Sequence, residues 1–154
     1  MKRRSFLKGT VASSMLGVAA GAGLLTPQSV LAAWPKAAFE AKSVDGGMEA
    51  ALGSSDVIES GDIKIKAPDI AENGAVVPIT ISTGMSGVES IAIFIEKNPI
   101  PLASSYDLGP TTQGFISCRV KMGKTSDLIA VVKSGGKLYS AKKMIKVTIG
   151  GCGG

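Results

Sequence analysis

The residue best equipped for chemistry in this 154-residue chain is Cys152, held between the glycine pairs Gly150-Gly151 and Gly153-Gly154. A thiolate is a nucleophile that forms and breaks bonds to sulfur, so an accessible cysteine can carry a sulfur-containing group as a disulfide-type adduct. Glycine has no Cβ and samples backbone conformations widely, so four glycines around one cysteine make a thin, pliable tether. Just before it, Met144-Ile145-Lys146-Val147-Thr148-Ile149 reads as a strand rich in β-branched residues. A rigid element should therefore end where the tether begins. From Ile149 to Cys152, three residues extend roughly 10 Å, enough to place the sulfur inside a neighbour's cleft. The residues alone also fit a frayed tail whose cysteine is idle or forms an intermolecular disulfide.

The rest of the chemical inventory is sparse. Histidine is absent, which excludes a His-containing triad and any His-ligated metal. Two cysteines cannot make a four-thiolate zinc site, and the sequence holds neither a C-x-x-C pair nor a phosphate-binding glycine loop. Asp69 and Glu72 form the nearest carboxylate pair, in a loop where such residues mostly cap or solvate. The other cysteine, Cys118, alternates with Ile116, Val120 and Met122, while Ser117, Arg119 and Lys121 face away. That periodicity predicts a small core residue. A Cys118–Cys152 disulfide would be an off-pathway state. Lys142, Lys143 and Lys146 would lower the Cys152 pKa if the tail folded back, although partner proteins are a better source of that environment. These absences fit a protein that is not an enzyme.

Strands dominate the region that must position the tether. Asp62–Lys66 alternates polar with apolar, and Val76–Ile81 follows with Pro78 marking an edge or bulge. Ile91–Glu96 reads as buried on both faces. Gln113–Met122, Asp127–Lys133 and a long Lys137–Ile149 complete the set, with Ser134-Gly135-Gly136-Lys137 as a hairpin turn. Helix is expected only early, over Pro35–Lys42 and Met48–Leu52, with Gly46-Gly47 separating the two. The pattern predicts an all-β, immunoglobulin-like antiparallel β-sandwich over residues 33–149, with a short N-terminal helical segment and a flexible arm over 150–154. Two stretches read as exposed loops: Lys66–Gly74, containing Ile70-Ala71-Glu72-Asn73-Gly74, and Asn98–Tyr106, which opens Asn98-Pro99-Ile100-Pro101. The second is either punctuation by proline or a partner surface carrying Ile100, Leu102 and Tyr106.

The GGCGG segment following KVTI, the P-x-I-A-E-N-G stretch before a strand and the N-P-x-P stretch after one together resemble the SoxY family, from about Phe39 to Gly154. SoxY proteins are the sulfur-carrier subunits of the Sox thiosulfate-oxidation system. The resemblance implies that Cys152 is the covalent attachment site and that Gly150, Gly151, Gly153 and Gly154 form a swinging arm. It also implies a heterodimer with a SoxZ-like subunit. Transient partners would be a haem c enzyme that couples thiosulfate to the cysteine, a dimanganese hydrolase that releases sulfate, and in some systems a sulfane dehydrogenase. The haem and manganese belong to those partners, and no cofactor is expected in this chain.

The first 32 residues read as a leader. Arg3-Arg4-Ser5-Phe6-Leu7-Lys8 has the form of a twin-arginine export signal, followed by a weakly apolar run from Val11 to Leu25 too short for a membrane span. Cleavage is expected after Ala32, or else Ala33, which implies a periplasmic protein; an N-terminal membrane anchor is the alternative. The chain's charge of +5 rests largely on Lys2, Arg3, Arg4 and Lys8, so the mature protein is near neutral and its basic pI says little about nucleic acid. Residues 119–154 nonetheless hold eight basic side chains against Asp127 alone. They would attract anionic sulfur species, or simply protect strand edges. The competing function is a structural or adhesion-type sandwich that dimerises through Cys152, which non-reducing electrophoresis distinguishes. A thiol oxidoreductase is a weaker rival, for want of a resolving cysteine.

Overall fold

The computed structural model describes residues 35–148. The leader, its cleavage site and the Gly150–Gly154 segment with Cys152 lie outside the described residues.

Two short helices come first, α1 (Lys36–Glu40) and α2 (Val44–Leu52). The boundary between them differs from the sequence expectation. Ser43 caps α2 by accepting a hydrogen bond from the Gly46 amide at 3.2 Å, so Gly46 and Gly47 lie inside the helix, not between two helices. Tertiary packing overrides the poor helix propensity of glycine here. A Cβ on Gly47 would stand 3.1 Å from the Phe94 ring, so a bare backbone is what lets α2 lie flat on the sheet. Gly53 ends the helix in the left-handed region (φ 84°), its amide bonded to Glu49 O.

Nine strands follow: β1 (Val57–Glu59), β2 (Ile63–Lys66), β3 (Ile70–Ala71), β4 (Val77–Thr83), β5 (Val88–Ile95), β6 (Leu102–Asp107), β7 (Phe115–Val120), β8 (Ser126–Ser134) and β9 (Lys137–Val147). They build two sheets. The larger runs β1-β9-β8-β5-β6 with β3 also on β9, and the smaller runs β2-β4-β7. The long ladders are antiparallel, but β1 and β3 both pair parallel with β9, so the large sheet is mixed and not purely antiparallel. Parallel pairing arises because the chain leaves β1, crosses to the small sheet for β2 and returns as β3 along the same edge of β9.

The core follows from the pleat. Ile91, Ile93 and Ile95 of β5 and Leu128, Ala130 and Val132 of β8 face the small sheet, where Ile63, Val77, Ile79, Ile81 and Val120 meet them. The alternate residues of the same strands, Ala92, Phe94, Ile129 and Val131, point outward and are covered by Ala38 and Met48 of the helices. This is why β5 is apolar on both faces.

Three strands were not legible as such. β1 is too short to show a period. β3 lies within the stretch read as the first loop, and β6 within the stretch read as the second. β6 pairs with β5 through a bulge at Ala103, where Ile93 faces Ser104 but Phe94 faces Leu102. The bulge resets the alternation, and serines dilute the apolar signal that periodicity depends on. It also corrects the exposure expected of Leu102: that side chain is 3% exposed and packs with Phe94 beneath the helices.

Candidate functional site

The elements nearest Cys152 in sequence are the end of β9 and whatever fixes it. Thr148 is the last described residue, and its amide donates to Ala71 O at 3.1 Å. Two residues earlier the Lys146 amide donates to Asp69 O at 2.9 Å, so β3 grips the last turn of the strand from one side. On the other side, the Val147 amide donates to Thr125 Oγ1 at 3.0 Å, and that hydroxyl donates to Val147 O at 3.4 Å. Lys143 anchors the same loop from below, with Nζ 2.6 Å from Ala67 O and 3.0 Å from an Asp69 carboxylate oxygen. The end of β9 is therefore clamped from both sides.

The first sequence stretch singled out above is part of that clamp, and the second braces the loop that holds its other side. Asn73 folds its own loop by accepting the Ala75 amide at 2.9 Å. Gly74 O accepts the Met122 amide at 2.7 Å, and a Cβ at Gly74 would collide with Met122 O and stand 2.7 Å from Val147 Cγ1. Glycine is required there for close approach, since only a bare Cα lets three segments meet. Asn98 bridges the neighbouring turn to the loop after β7, donating from Nδ2 to Lys121 O at 2.8 Å and accepting the Gly123 amide at 3.0 Å. The Asp69–Gly74 loop, the Asn98 turn and the Lys121–Thr125 loop thus surround the exit of the chain.

The lysines of the basic segment separate once folded. Lys143 is committed to Asp69 and to a backbone carbonyl, so it is not available to a thiol in the way the sequence allowed. Lys133 pairs with Glu89 at 3.7 Å, and Lys137 lies at the β8–β9 turn, the far end of the molecule. Lys121, Lys124 and Lys146 remain exposed at the exit end. Asp69 and Glu72 are both solvent-exposed, with Asp69 engaged as a tether for Lys143 and not as one of a catalytic pair. Among the described residues no three His, Cys, Asp or Glu side chains converge as metal ligands, and no helix is long and apolar enough to cross a membrane.

Cys118 sits on β7 with Ile116 and Val120 toward the core, as its alternation predicts, but it is half-buried because β7 is an edge strand of the small sheet. Tyr106 approaches it from β6, the corresponding edge of the large sheet. Burial raises the Tyr106 phenol above the usual tyrosine value, and the neighbouring Cys118 thiol adds to the shift. Tyr106 is therefore half-buried on the flank between two sheets, whereas Ile100 is 40% exposed at the exit end. Cys118→Ala is expected to cost about 1 kcal/mol, as a small truncation at the edge of the core. Denaturant unfolding measures this, and labelling by a thiol reagent as fast as that of a free peptide cysteine would show Cys118 to be more open than its packing implies.

The family model for the sulfur oxidation protein SoxY matches residues 48–152, so the match spans both clamp loops and runs through to Cys152. The chain belongs to the SoxY family. The structure of the sulfur carrier protein SoxY from Chlorobium limicola f thiosulfatophilum is 45% identical, with a TM-score of 0.64 over 70% of this chain and 97% of that one. Two further solved structures match far more weakly. One is a chain from a structure of T-cell specificity and activation by toxic shock syndrome toxin-1, at 8% identity and TM-score 0.41 over 56% of this chain and 99% of that one. Another is the CARDB domain of a Pyrococcus furiosus protein, at 12% identity and TM-score 0.36 over 60% and 95%. No curated protein matches significantly.

Proposed function

We propose that this SoxY-family chain is a periplasmic sulfur carrier that holds thiosulfate-derived intermediates on Cys152 and presents them to other enzymes. The observation that carries the reading is that the family match reaches Cys152, four residues beyond the clamped Thr148. Four residues reach at most roughly 14 Å, so the thiol is tied closely to a fixed launch point. The glycines on either side supply thinness and freedom, and the sandwich supplies position.

The Cys152 thiol and thiosulfate join as Cys–S–S–SO3⁻, forming one S–S bond and releasing a proton and two electrons, which a haem c partner accepts. Water then cleaves the terminal S–S bond at a dimanganese hydrolase. Sulfate departs with two protons, and a persulfide anion stays on the cysteine, the substrate for a sulfane dehydrogenase where one exists. The chain itself contributes the nucleophile and the tether and performs no catalysis. A SoxZ-like subunit would complete it as a heterodimer. The immunoglobulin-like reading of the sandwich belongs to this proposal, supported by two face-packed sheets with a shared core.

The test is intact-mass spectrometry of the protein purified from cells grown on thiosulfate, followed by mapping of the modified peptide. A sulfur adduct on Cys152 is expected. A bare thiol, or a permanent Cys152–Cys152 dimer on non-reducing electrophoresis, would favour the structural reading. Export is tested separately. With the twin-arginine form of the leader, Arg3→Lys combined with Arg4→Lys should hold the precursor in the cytoplasm, and undiminished periplasmic recovery would argue against that route.

A further inference from the structure

Apolar side chains exposed to solvent are unevenly distributed. Of the seven large ones most exposed among the described residues, Ile70, Val76, Ile100 and Met144 lie at the exit end. Ile70 stands opposite Lys146 in the β3–β9 ladder, and Met144 is two residues from Lys146 on the same outer face of β9. Val76 precedes the pair Val77–Val120, and Ile100 lies in the turn joined to Lys121 and Gly123 through Asn98. Ile70 and Met144 are 56% and 51% exposed, although the helices cover the outer face of this same sheet farther along, over Leu138. Lysines rim the end: Lys97, Lys121, Lys124 and Lys146 are exposed, and the ion pairs among the described residues use Lys36, Lys133 and Lys143 instead. Exposed Glu72 and Glu96, and half-buried Asp127 opposite Met144, only partly offset them.

We infer that this exit face, centred on Ile70 and Met144 and rimmed by Lys124 and Lys146, is the docking surface for the enzymes that process sulfur on Cys152. The inference rests on the carrier reading. The length of chain between the clamp and the thiol fixes the occupant. With four residues from Thr148 to Cys152, an enzyme that takes the sulfur into a cleft must bring the cleft's mouth within roughly 14 Å of Thr148, which means onto this face. The chemistry of the face then describes the mouth it fits: an apolar lip to cover Ile70 and Met144, with carboxylates around it to meet the lysines. Such an enzyme need read only this face and the thin tether, so enzymes of different chemistry can share one carrier.

The experiment uses the full mature chain, alone or with its partner subunit, loaded without any enzyme. Tetrathionate serves: the Cys152 thiolate attacks a central sulfur, Cys–S–S–SO3⁻ forms and thiosulfate leaves. Loaded wild type, Ile70→Glu/Met144→Glu and Lys124→Glu/Lys146→Glu are then offered to the sulfate-releasing hydrolase, with steady-state kinetics and circular dichroism for each. Both double variants should reach the same final adduct mass on Cys152 as wild type, with a slower approach allowed for Lys124→Glu/Lys146→Glu because tetrathionate is anionic. Their KM should rise about tenfold or more while kcat at saturation holds, because docking is impaired and the delivered adduct is unchanged. Unchanged KM in both variants overturns the inference. So does unchanged KM accompanied by loss of self-association in sedimentation, which assigns the face to a second copy. If the wild type itself fails to load at Cys152, or is loaded but not processed, the carrier reading falls, and the docking surface with it.

Discussion

Cys152→Ser is expected to abolish sulfur loading completely while the sandwich remains folded. A serine hydroxyl at neutral pH is neither a competent nucleophile toward sulfur nor able to hold it in an exchangeable S–S bond. The ladders of β9 run to Val147 and Thr148 is held by Ala71, all without a contribution from that position. Unfolding midpoints should therefore agree with wild type while the adduct mass disappears. The glycines are tested in the same background of measurements. Proline at Gly150 and Gly151 stiffens the tether and bulk at Gly153 and Gly154 thickens it. Enzymatic loading and release should slow, while reaction with a small free reagent should hold. A parallel fall in both would mean that the glycines tune the thiol and do not deliver it, and no change in either would remove the swinging arm while leaving Cys152 as the carrier.

Gly74→Ala should produce the largest effect of any single methyl group on the described surface of this protein. The added carbon would collide with Met122 O and approach Val147 Cγ1 at 2.7 Å. Neither neighbour can yield cheaply. Met122 is tied back to Gly74 through its own amide at 2.7 Å, and Val147 is held by Thr125 on one side and paired beside Ala71 on the other. Overpacking of this kind costs about 2–3 kcal/mol, which lowers Tm by on the order of 5–10 °C in a domain of this size. The functional consequence is more specific. The three segments forced apart are those that fix the launch point, so turnover by a partner enzyme should fall more than loading by tetrathionate, even at temperatures where the variant is fully folded. Equal Tm in variant and wild type would show that the loop has slack that the hydrogen bonds do not suggest.

Part of the fold was legible because period and burial agree. Ile91–Ile95 is apolar on both faces and lies between a sheet and helices, and Asp127–Lys133 behaves in the same way. Ile116, Cys118 and Val120 alternate with Ser117 and Arg119, and that set does point inward. What failed to show has a common cause. β3 is two residues long, and β6 carries serines and a bulge, so neither generates a period that a reader could detect. Leu102 looked exposed because it follows three residues of a proline-rich turn, yet the bulge at Ala103 turns it toward the helices. Gly46-Gly47 looked like a break because glycine disfavours helix, but contact of α2 with Phe94 outweighs that preference.

The sequence by itself determined the chemical candidate, since in a chain without histidine a glycine-flanked cysteine leaves little else to react. It also determined the strand-rich character and the stretches that carry the family likeness. It did not say what those stretches do. Hydrogen bonds between residues 22 to 77 positions apart decided that Asp69–Gly74 and Thr125 converge on the end of β9 and that Asn98 braces the loop carrying Thr125, turning one apparent loop into a clamp and the other into its support. The same folding sorted the lysines, leaving some at the exit and sending Lys133 and Lys137 to the opposite end, because charge is additive along a sequence but local in space.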